Sequence, residues 1–124
     1  VGIHDMLRYN KFTIGWSWTN EYGSSDDPEQ FRYLLSYSPY HNINKGTSYP
    51  ATMIITADHD NRVVPAHSYK FAAALQEVQE YGPRILTRIG KKYGHGASSR
   101  KQVVDQLTDI LSFTLFNMGE EYKM

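Results

Sequence analysis

Apolar positions along the second half of the chain fall into two short runs and two longer periodic stretches, and each pattern predicts a different element. From Ala51 to Ala57 the run Ala-Thr-Met-Ile-Ile-Thr-Ala is apolar on both faces and rich in β-branched residues, as in a strand covered by helices on both sides. Arg84-Ile85-Leu86-Thr87-Arg88-Ile89 reads as a second strand. Between them, after Pro65 and as far as about Tyr81, Tyr69, Phe71, Ala72, Leu75 and Val78 lie near helical spacing, and Tyr81-Gly82-Pro83 stops the pattern. A last helix is predicted from about Ser98 to Met118, with Val103, Leu107, Ile110, Leu111 and Leu115 along one face. Gly119 ends it, and Glu120 to Met124 form a polar tail.

The first half is less regular. Val1-Gly2-Ile3-His4-Asp5-Met6-Leu7 begins on an apolar residue and reads as the tail of a strand whose beginning lies outside the sequence. A loop-rich aromatic stretch follows to Asp27, where Asp26 and Asp27 precede Pro28 and Glu29 in the order a helix start prefers: cap, proline, then acid in the first turn. The helix runs from about Pro28 to Tyr37, with Phe31, Leu34 and Leu35 as one buried stripe, and Ser38-Pro39 ends it. Asn42 to Pro50 is a surface connection. Strand, helix, strand, helix is the alternation of an open, doubly wound, mostly parallel sheet flanked by helices.

Composition narrows the function classes. Thirteen basic and thirteen acidic residues balance, without a long run of one sign, so nothing points to nucleic acid or a membrane surface. No apolar segment is long enough for a membrane span. With no cysteine and no Asn-x-Ser/Thr acceptor, a cytoplasmic location is the default expectation. The chain has ten tyrosines and two tryptophans, and several of its aromatic residues, among them Tyr9, Trp16, Trp18, Tyr22 and Tyr37, crowd the first forty positions, material for either a core or a pocket lining.

The chemistry lies just beyond the two predicted strands, where open α/β sheets carry their functional groups. Asp58 and Asp60 close the first strand, and His95 follows the second inside Gly94-His95-Gly96. An acid followed by a histidine matches the last two members of a serine-hydrolase triad, whose chain order in α/β-hydrolases is serine, acid, histidine. The flanking glycines suit a mobile, tightly turned loop that substrate approaches closely. Spacing alone does not choose between Asp58 and Asp60 as the acid. The serine's G-x-S-x-G turn is not in the sequence; Gly15-Trp16-Ser17-Trp18-Thr19 comes nearest and lacks the second glycine. Asp58, His59, Asp60, His67 and His95 include metal-ligand types, but no pair has a recognised ligand spacing, so neither a metal nor a cofactor is expected.

Two longer segments are more specific. Thr56-Ala57-Asp58-His59-Asp60-Asn61-Arg62-Val63-Val64-Pro65-Ala66-His67-Ser68 with Gly94-His95-Gly96-Ala97, and the opening Asp5-Met6-Leu7-Arg8-Tyr9 to Trp18-Thr19-Asn20-Glu21-Tyr22-Gly23, resemble the prolyl oligopeptidase family. The similarity covers nearly the whole chain and is weakest at Lys45 to Tyr49, near Glu80 to Pro83, and after Gly119. The resemblance implies an α/β-hydrolase catalytic domain capped by a β-propeller, cleaving short peptides on the carboxyl side of proline. It implies Asp60 as the triad acid, His95 as the general base, and Arg62 as the ligand of a substrate carbonyl. It also implies Trp18 stacked on the proline ring, with Tyr22, Val63 and Ile3 as further pocket walls, and an oxyanion-hole tyrosine from a part of the enzyme outside this sequence. Asn61 stands where an aspartate is common, and Ser98 where glycine is common.

On this reading residues 1–124 are the C-terminal portion of an α/β-hydrolase catalytic domain, with the nucleophile turn and propeller upstream of Val1. The partners expected are proline-containing peptides and the missing N-terminal part of the same enzyme, and the chain alone is expected to be inactive. The alternative is an inactive module that binds a partner or associates with itself through an exposed sheet edge.

Overall fold

A computed structural model describes residues 1–97 and 99–119. Ser98, read above as the start of the last helix and as a departure from glycine, and the tail Glu120 to Met124 lie outside the described residues. The strands are β1, Thr52–Ala57, and β2, Ile85–Gly90, and they pair in parallel with Thr52 opposite Ile85 and Ala57 opposite Gly90. The helices are α1, Thr19–Tyr22; α2, Pro28–Tyr37; α3, Pro65–Val78; and α4, Arg100–Met118. Short 3₁₀ turns at Tyr9–Lys11, Gly15–Trp18 and Pro39–Asn42 complete the described elements. The α/β alternation is therefore as the apolar pattern predicts.

The helix ends follow local chemistry. Asp27 caps α2 by accepting from the N–H groups of Glu29 and Gln30 at 2.8 and 3.1 Å, with Pro28 in the first turn. Ser99 and Gln102 form a reciprocal capping box at the start of α4, and Gly119, at φ 74°, terminates it in the left-handed region. Helix α3 stops at Val78, before the expected Tyr81. The Gln79 side chain is committed to the neighbouring loop instead, donating to the carbonyls of Tyr49 and Pro83 at 2.8 and 3.0 Å and accepting from Tyr49 N–H at 3.0 Å.

Two apolar clusters hold these pieces together. Ile54, Ala72, Leu75 and Ile85 pack α3 onto the strand pair, with Phe71, Ile43 and Tyr49 against them. Met6, Tyr9 and Leu34 form the second, with Ile3, Leu7 and Trp18 around it. Each buried aliphatic side chain contributes about 1.5–3 kcal/mol relative to exposure, so these small clusters dominate the attachment of helix to strand.

Three expectations are corrected. The opening residues do not form a strand: their polar backbone groups are taken by side chains and a turn, with Asp5 N–H donating to His67 Nδ1 and Met6 N–H to Ser38 Oγ. Of the α2 stripe only Leu34 is buried; Phe31 and Leu35 lie at the surface. The apolar face of α4 is likewise exposed at Val103, Leu107, Leu111 and Leu115; Arg88 and Asp109 join the helix to β2 by an ion pair at 2.8 Å, and Phe113 and Phe116 line an open groove together with Met53 and Leu86. On strand β2 Ile85 is buried, whereas Leu86 on the opposite face and Ile89 farther along the same face are exposed, so neither face of the strand is covered along its whole length.

Candidate active site

Both strands deliver their chemistry at their carboxyl ends. Beyond β1 the chain turns sharply, Asp60 N–H donating to Ala57 C=O at 3.2 Å, and the Asp60 carboxylate folds back over its own loop. Its Oδ1 accepts from the N–H groups of Arg62 and Val63, each at 2.9 Å. Its Oδ2 lies 2.9 Å from His95 Nδ1. The Asp60 side chain has no exposed surface, whereas that of His95 is 39% exposed. A buried carboxylate is tolerable only with its lone pairs occupied, and both oxygens here have partners.

The loop that carries His95 is fastened to the end of β1 by its backbone. Asp58 N–H donates to Gly90 C=O at 2.9 Å and His59 N–H to Tyr93 C=O at 3.3 Å, which extends the parallel pairing past the strands. Gly96 has φ 86°, a conformation that strains any residue with a Cβ, whereas a Cβ at Gly94 would meet only the His59 carbonyl at 3.4 Å. Of the two glycines flanking His95, the second is the one the turn requires.

Asp58 and Asp60 meet different histidines. The Asp58 Oδ1 faces His59 Nδ1 at 2.6 Å and accepts from Lys92 N–H at 2.8 Å. The hydrogen bond from His59 lowers the Asp58 pKa; burial opposes it, and the Lys92 N–H adds a smaller lowering. Asp60 alone of the two meets His95.

A cleft of about 740 Å³ opens beside the pair. Ile3, Trp18, Tyr22, Arg62, Val63 and His95 all line it, so the side chains singled out from the sequence converge on one cavity, with Asp60 buried behind His95. Val1, Met6, Glu21, Tyr37 and Pro39 also line it and were not singled out. Met6 belongs to an apolar opening segment that reads as core, and Tyr37 with Pro39 sits at a helix end that reads only as a stop signal. Trp18 reaches the wall from the 3₁₀ turn Gly15–Trp18, which lies so close to the preceding turn that a Cβ on Gly15 would stand 1.9 Å from the Tyr9 carbonyl oxygen. The Tyr9 hydroxyl donates to the Gly23 carbonyl and so anchors the segment that carries Tyr22.

An ionised carboxylate can only accept, so Asp60 requires the proton of His95 to sit on Nδ1 and leaves Nε2 as the basic nitrogen. The arrangement can therefore hold one imidazole tautomer and present its Nε2 beside a cleft lined by both apolar and polar side chains, Arg62 among them. Among the described residues no cluster of three or more histidine, aspartate or glutamate side chains is arranged to hold a metal ion, and no helix is long and apolar enough to cross a membrane.

Residues 1–121 match the family described as the prolyl oligopeptidase family. The chain is 56% identical over 121 residues to a prolyl endopeptidase of Elizabethkingia meningoseptica, covering 96% of this chain and 17% of that protein. It is 45% identical over 125 residues to prolyl oligopeptidase A of Galerina marginata, covering 99% and 17%. Among solved structures, one from a study of two prolyl endopeptidases superposes with a TM-score of 0.92 at 38% identity, over 96% of this chain and 18% of its own. Prolyl oligopeptidase B from Galerina marginata, bound to a 35mer hydrolysis and macrocyclization substrate, superposes with a TM-score of 0.91 at 38% identity, over 99% and 18%. The strand pair and its helices are thus part of an α/β-hydrolase fold. The chain spans 17% of the length of the curated relatives it matches.

Proposed function

The chain belongs to the prolyl oligopeptidase family, and from that premise we propose that it is the C-terminal part of the catalytic domain of a serine peptidase that cleaves short peptides after proline. The observation that carries the reading is the contact of Asp60 Oδ2 with His95 Nδ1 at 2.9 Å, at the edge of a cleft that also holds Arg62 and Trp18. The nucleophilic serine comes from a segment outside these 124 residues, since no G-x-S-x-G turn occurs in them. His95 Nε2 takes the serine proton as the hydroxyl attacks the peptide carbonyl, then gives it to the leaving amine. Asp60 holds the ring and stabilises the imidazolium between those two events. A tyrosine hydroxyl from outside the chain completes the oxyanion hole.

Substrate is held by the same cleft. Trp18 offers a flat apolar face to the proline ring, and Tyr22, Val63 and Ile3 close the pocket around it. The Arg62 guanidinium, with several donors in a planar fork, binds a peptide carbonyl on the acyl side. A cytoplasmic setting is part of this reading, supported by the absence of cysteine and of glycosylation acceptors from the 124 residues. No cofactor or metal enters the reaction.

The experiment is cleavage of proline-containing peptides by the full-length protein carrying this chain, with Asp60→Asn and His95→Ala beside it. Both variants should lose activity, and intact activity in either overturns the assignment. The isolated chain should be inactive.

A second reading applies to the isolated chain. Leu86 and Ile89 on β2 and Leu107 and Leu111 on α4 are exposed, and an open strand edge invites pairing with another copy. Its mass in solution tests this: a stable monomer at high concentration removes self-association.

A further inference from the structure

We propose that His67 is a positioning residue that, through Asp5, bolts together the two walls of the cleft and so sets the preference for proline over smaller residues. This rests on the proposed function, because it takes the cleft as the proline pocket. One part of the wall, Ile3 and Met6, comes from the opening segment; another, Arg62 and Val63, comes from the loop after β1. They belong to parts of the chain far apart in sequence, and no strand pairing joins them.

His67 is the joint. Its own N–H donates to the Val64 carbonyl at 3.1 Å, which fixes it to the end of the Arg62-Val63 loop. Its ring Nδ1 accepts from Asp5 N–H at 3.2 Å, in a buried contact that lies in the chain between Ile3 and Met6. The adjoining backbone is held in the same way: Met6 N–H donates to Ser38 Oγ at 3.0 Å and Leu7 N–H to Asp5 Oδ1 at 3.2 Å. The Asp5 carboxylate, itself buried, pairs with Lys70, one helical turn beyond His67 on α3. Asp5 is thus gripped by α3 through both its backbone and its side chain.

The grip requires a particular state of the ring. Nδ1 must be bare to accept, so the neutral imidazole carries its proton on Nε2. Burial lowers the pKa of His67 and Lys70 lowers it further, while Asp5 opposes them; the net displacement favours the neutral ring. Phe12 stands edge-on to the ring at 5.3 Å and limits its rotation. None of these groups lines the cleft, so none is a catalytic residue.

The test uses full-length protein and two peptides that differ only in proline or alanine before the scissile bond. His67→Phe keeps the ring and its bulk and removes the acceptor. It should lower the ratio of kcat/KM for proline over alanine about tenfold, since a displaced wall removes contacts that only the larger ring makes. His67→Asn, whose side-chain oxygen stands near the Nδ1 position, should restore the ratio to within about threefold of wild type. Leu75→Ala, in the other apolar cluster, is the control for general destabilisation and should lower both rates together. If His67→Phe does not fold, Lys70→Met, at a position with 32% side-chain exposure, should still lower the ratio. A wild-type enzyme that is dependent on Asp60 and prefers proline, with an unchanged ratio in the folded His67→Phe or Lys70→Met variant, overturns this inference alone. A wild type without preference for proline, or activity that survives Asp60→Asn, overturns the proposed function and this inference with it.

Discussion

Two buried aspartates in this chain each contact a histidine, and they use it in opposite ways. In the pair at the strand ends the Asp60 carboxylate faces His95 Nδ1 at 2.9 Å, so the ring donates. In the pair behind the cleft the Asp5 backbone N–H faces His67 Nδ1 at 3.2 Å, so the ring accepts, and the Asp5 carboxylate goes to Lys70. The first arrangement fixes the proton on Nδ1 and leaves Nε2 free to accept. The second is lost when its ring is protonated. The same two residue types thus make a ring that donates through Nδ1 or one that accepts there, depending on which atom of the aspartate meets it.

The comparison breaks most severely at the first pair. Asp60→Asn in the full-length protein keeps the shape but offers an amide where an acceptor is needed, which permits the wrong tautomer of His95. Loss of the acid in a triad costs on the order of 10⁴ in kcat. Steady-state kinetics on a proline peptide checks this, with an unchanged melting temperature expected to within a few degrees. A loss smaller than tenfold would mean that Asp60 is only a turn residue.

At the second pair the expected loss is of stability. His67→Phe leaves the Asp5 N–H buried without a partner, and such a group costs about 1–3 kcal/mol. Urea denaturation should show a lower midpoint for His67→Phe and a partial recovery for His67→Asn. Equal midpoints for wild type and His67→Phe would show that water or another acceptor reaches Asp5 at no cost.

Acid sharpens the same contrast. His4, stacked on Phe71 with ring centroids 4.4 Å apart, has its pKa lowered from 6.5 to about 4, chiefly by burial and then by the neighbouring His67. That of His67 is lowered as well. A histidine whose folded pKa lies below its unfolded one binds fewer protons when folded, so its contribution is complete above about pH 6.5 and is lost as pH falls toward the folded value. The melting temperature should therefore be flat from pH 8 to about 6.5 and decline toward pH 5, before most carboxylates titrate. His4→Phe should reduce that slope. A melting temperature that rises on acidification through this window would contradict the burial of both rings.

How far these features can be read in the sequence depends on how local their causes are. The cap of α2, the end of α4 at Gly119 and the strand pair rest on neighbours within a few residues or on a repeating pattern, and each is where the pattern placed it. The apolar stripe of α2 is correct as periodicity and wrong as burial, because periodicity names a face without naming what covers it; Phe31 lies at the surface of the chain described, as does Leu111 on the apolar face of α4. The opening segment looks like a strand because apolar residues dominate it, yet Asp5 within it marks a buried ionic contact, and the matching signal is Lys70 beside Phe71 and Ala72. A charge inside an apolar run was the available clue. Its partner lies 65 residues away, and no spacing rule reaches that far.

A third aspartate–histidine pair gives the smallest effect and the finest discrimination. Asp58 and His59 are neighbours in sequence, their contact of 2.6 Å is largely exposed at His59, and such surface pairs contribute about 0–1 kcal/mol. The Asp58 carboxylate also accepts from Lys92 N–H, and Lys92 has φ 62°, an unfavourable conformation for a lysine that some anchor must hold. The two roles separate on substitution. Asp58→Asn removes the charge and keeps an acceptor for Lys92, so activity should stay within about twofold of wild type, the equivalent of a weak surface pair. Asp58→Ala removes both, and the segment leading to His95 should loosen, with a loss of about 1 kcal/mol in stability and a matching decline in kcat/KM. If both variants fall together, the charge beside His59 matters to the reaction and the loop anchor does not. If only Asp58→Ala falls, Asp58 serves His95 through the backbone of Lys92, and the two aspartates that looked interchangeable in the sequence divide the work, Asp60 holding the ring and Asp58 holding the loop that brings it there.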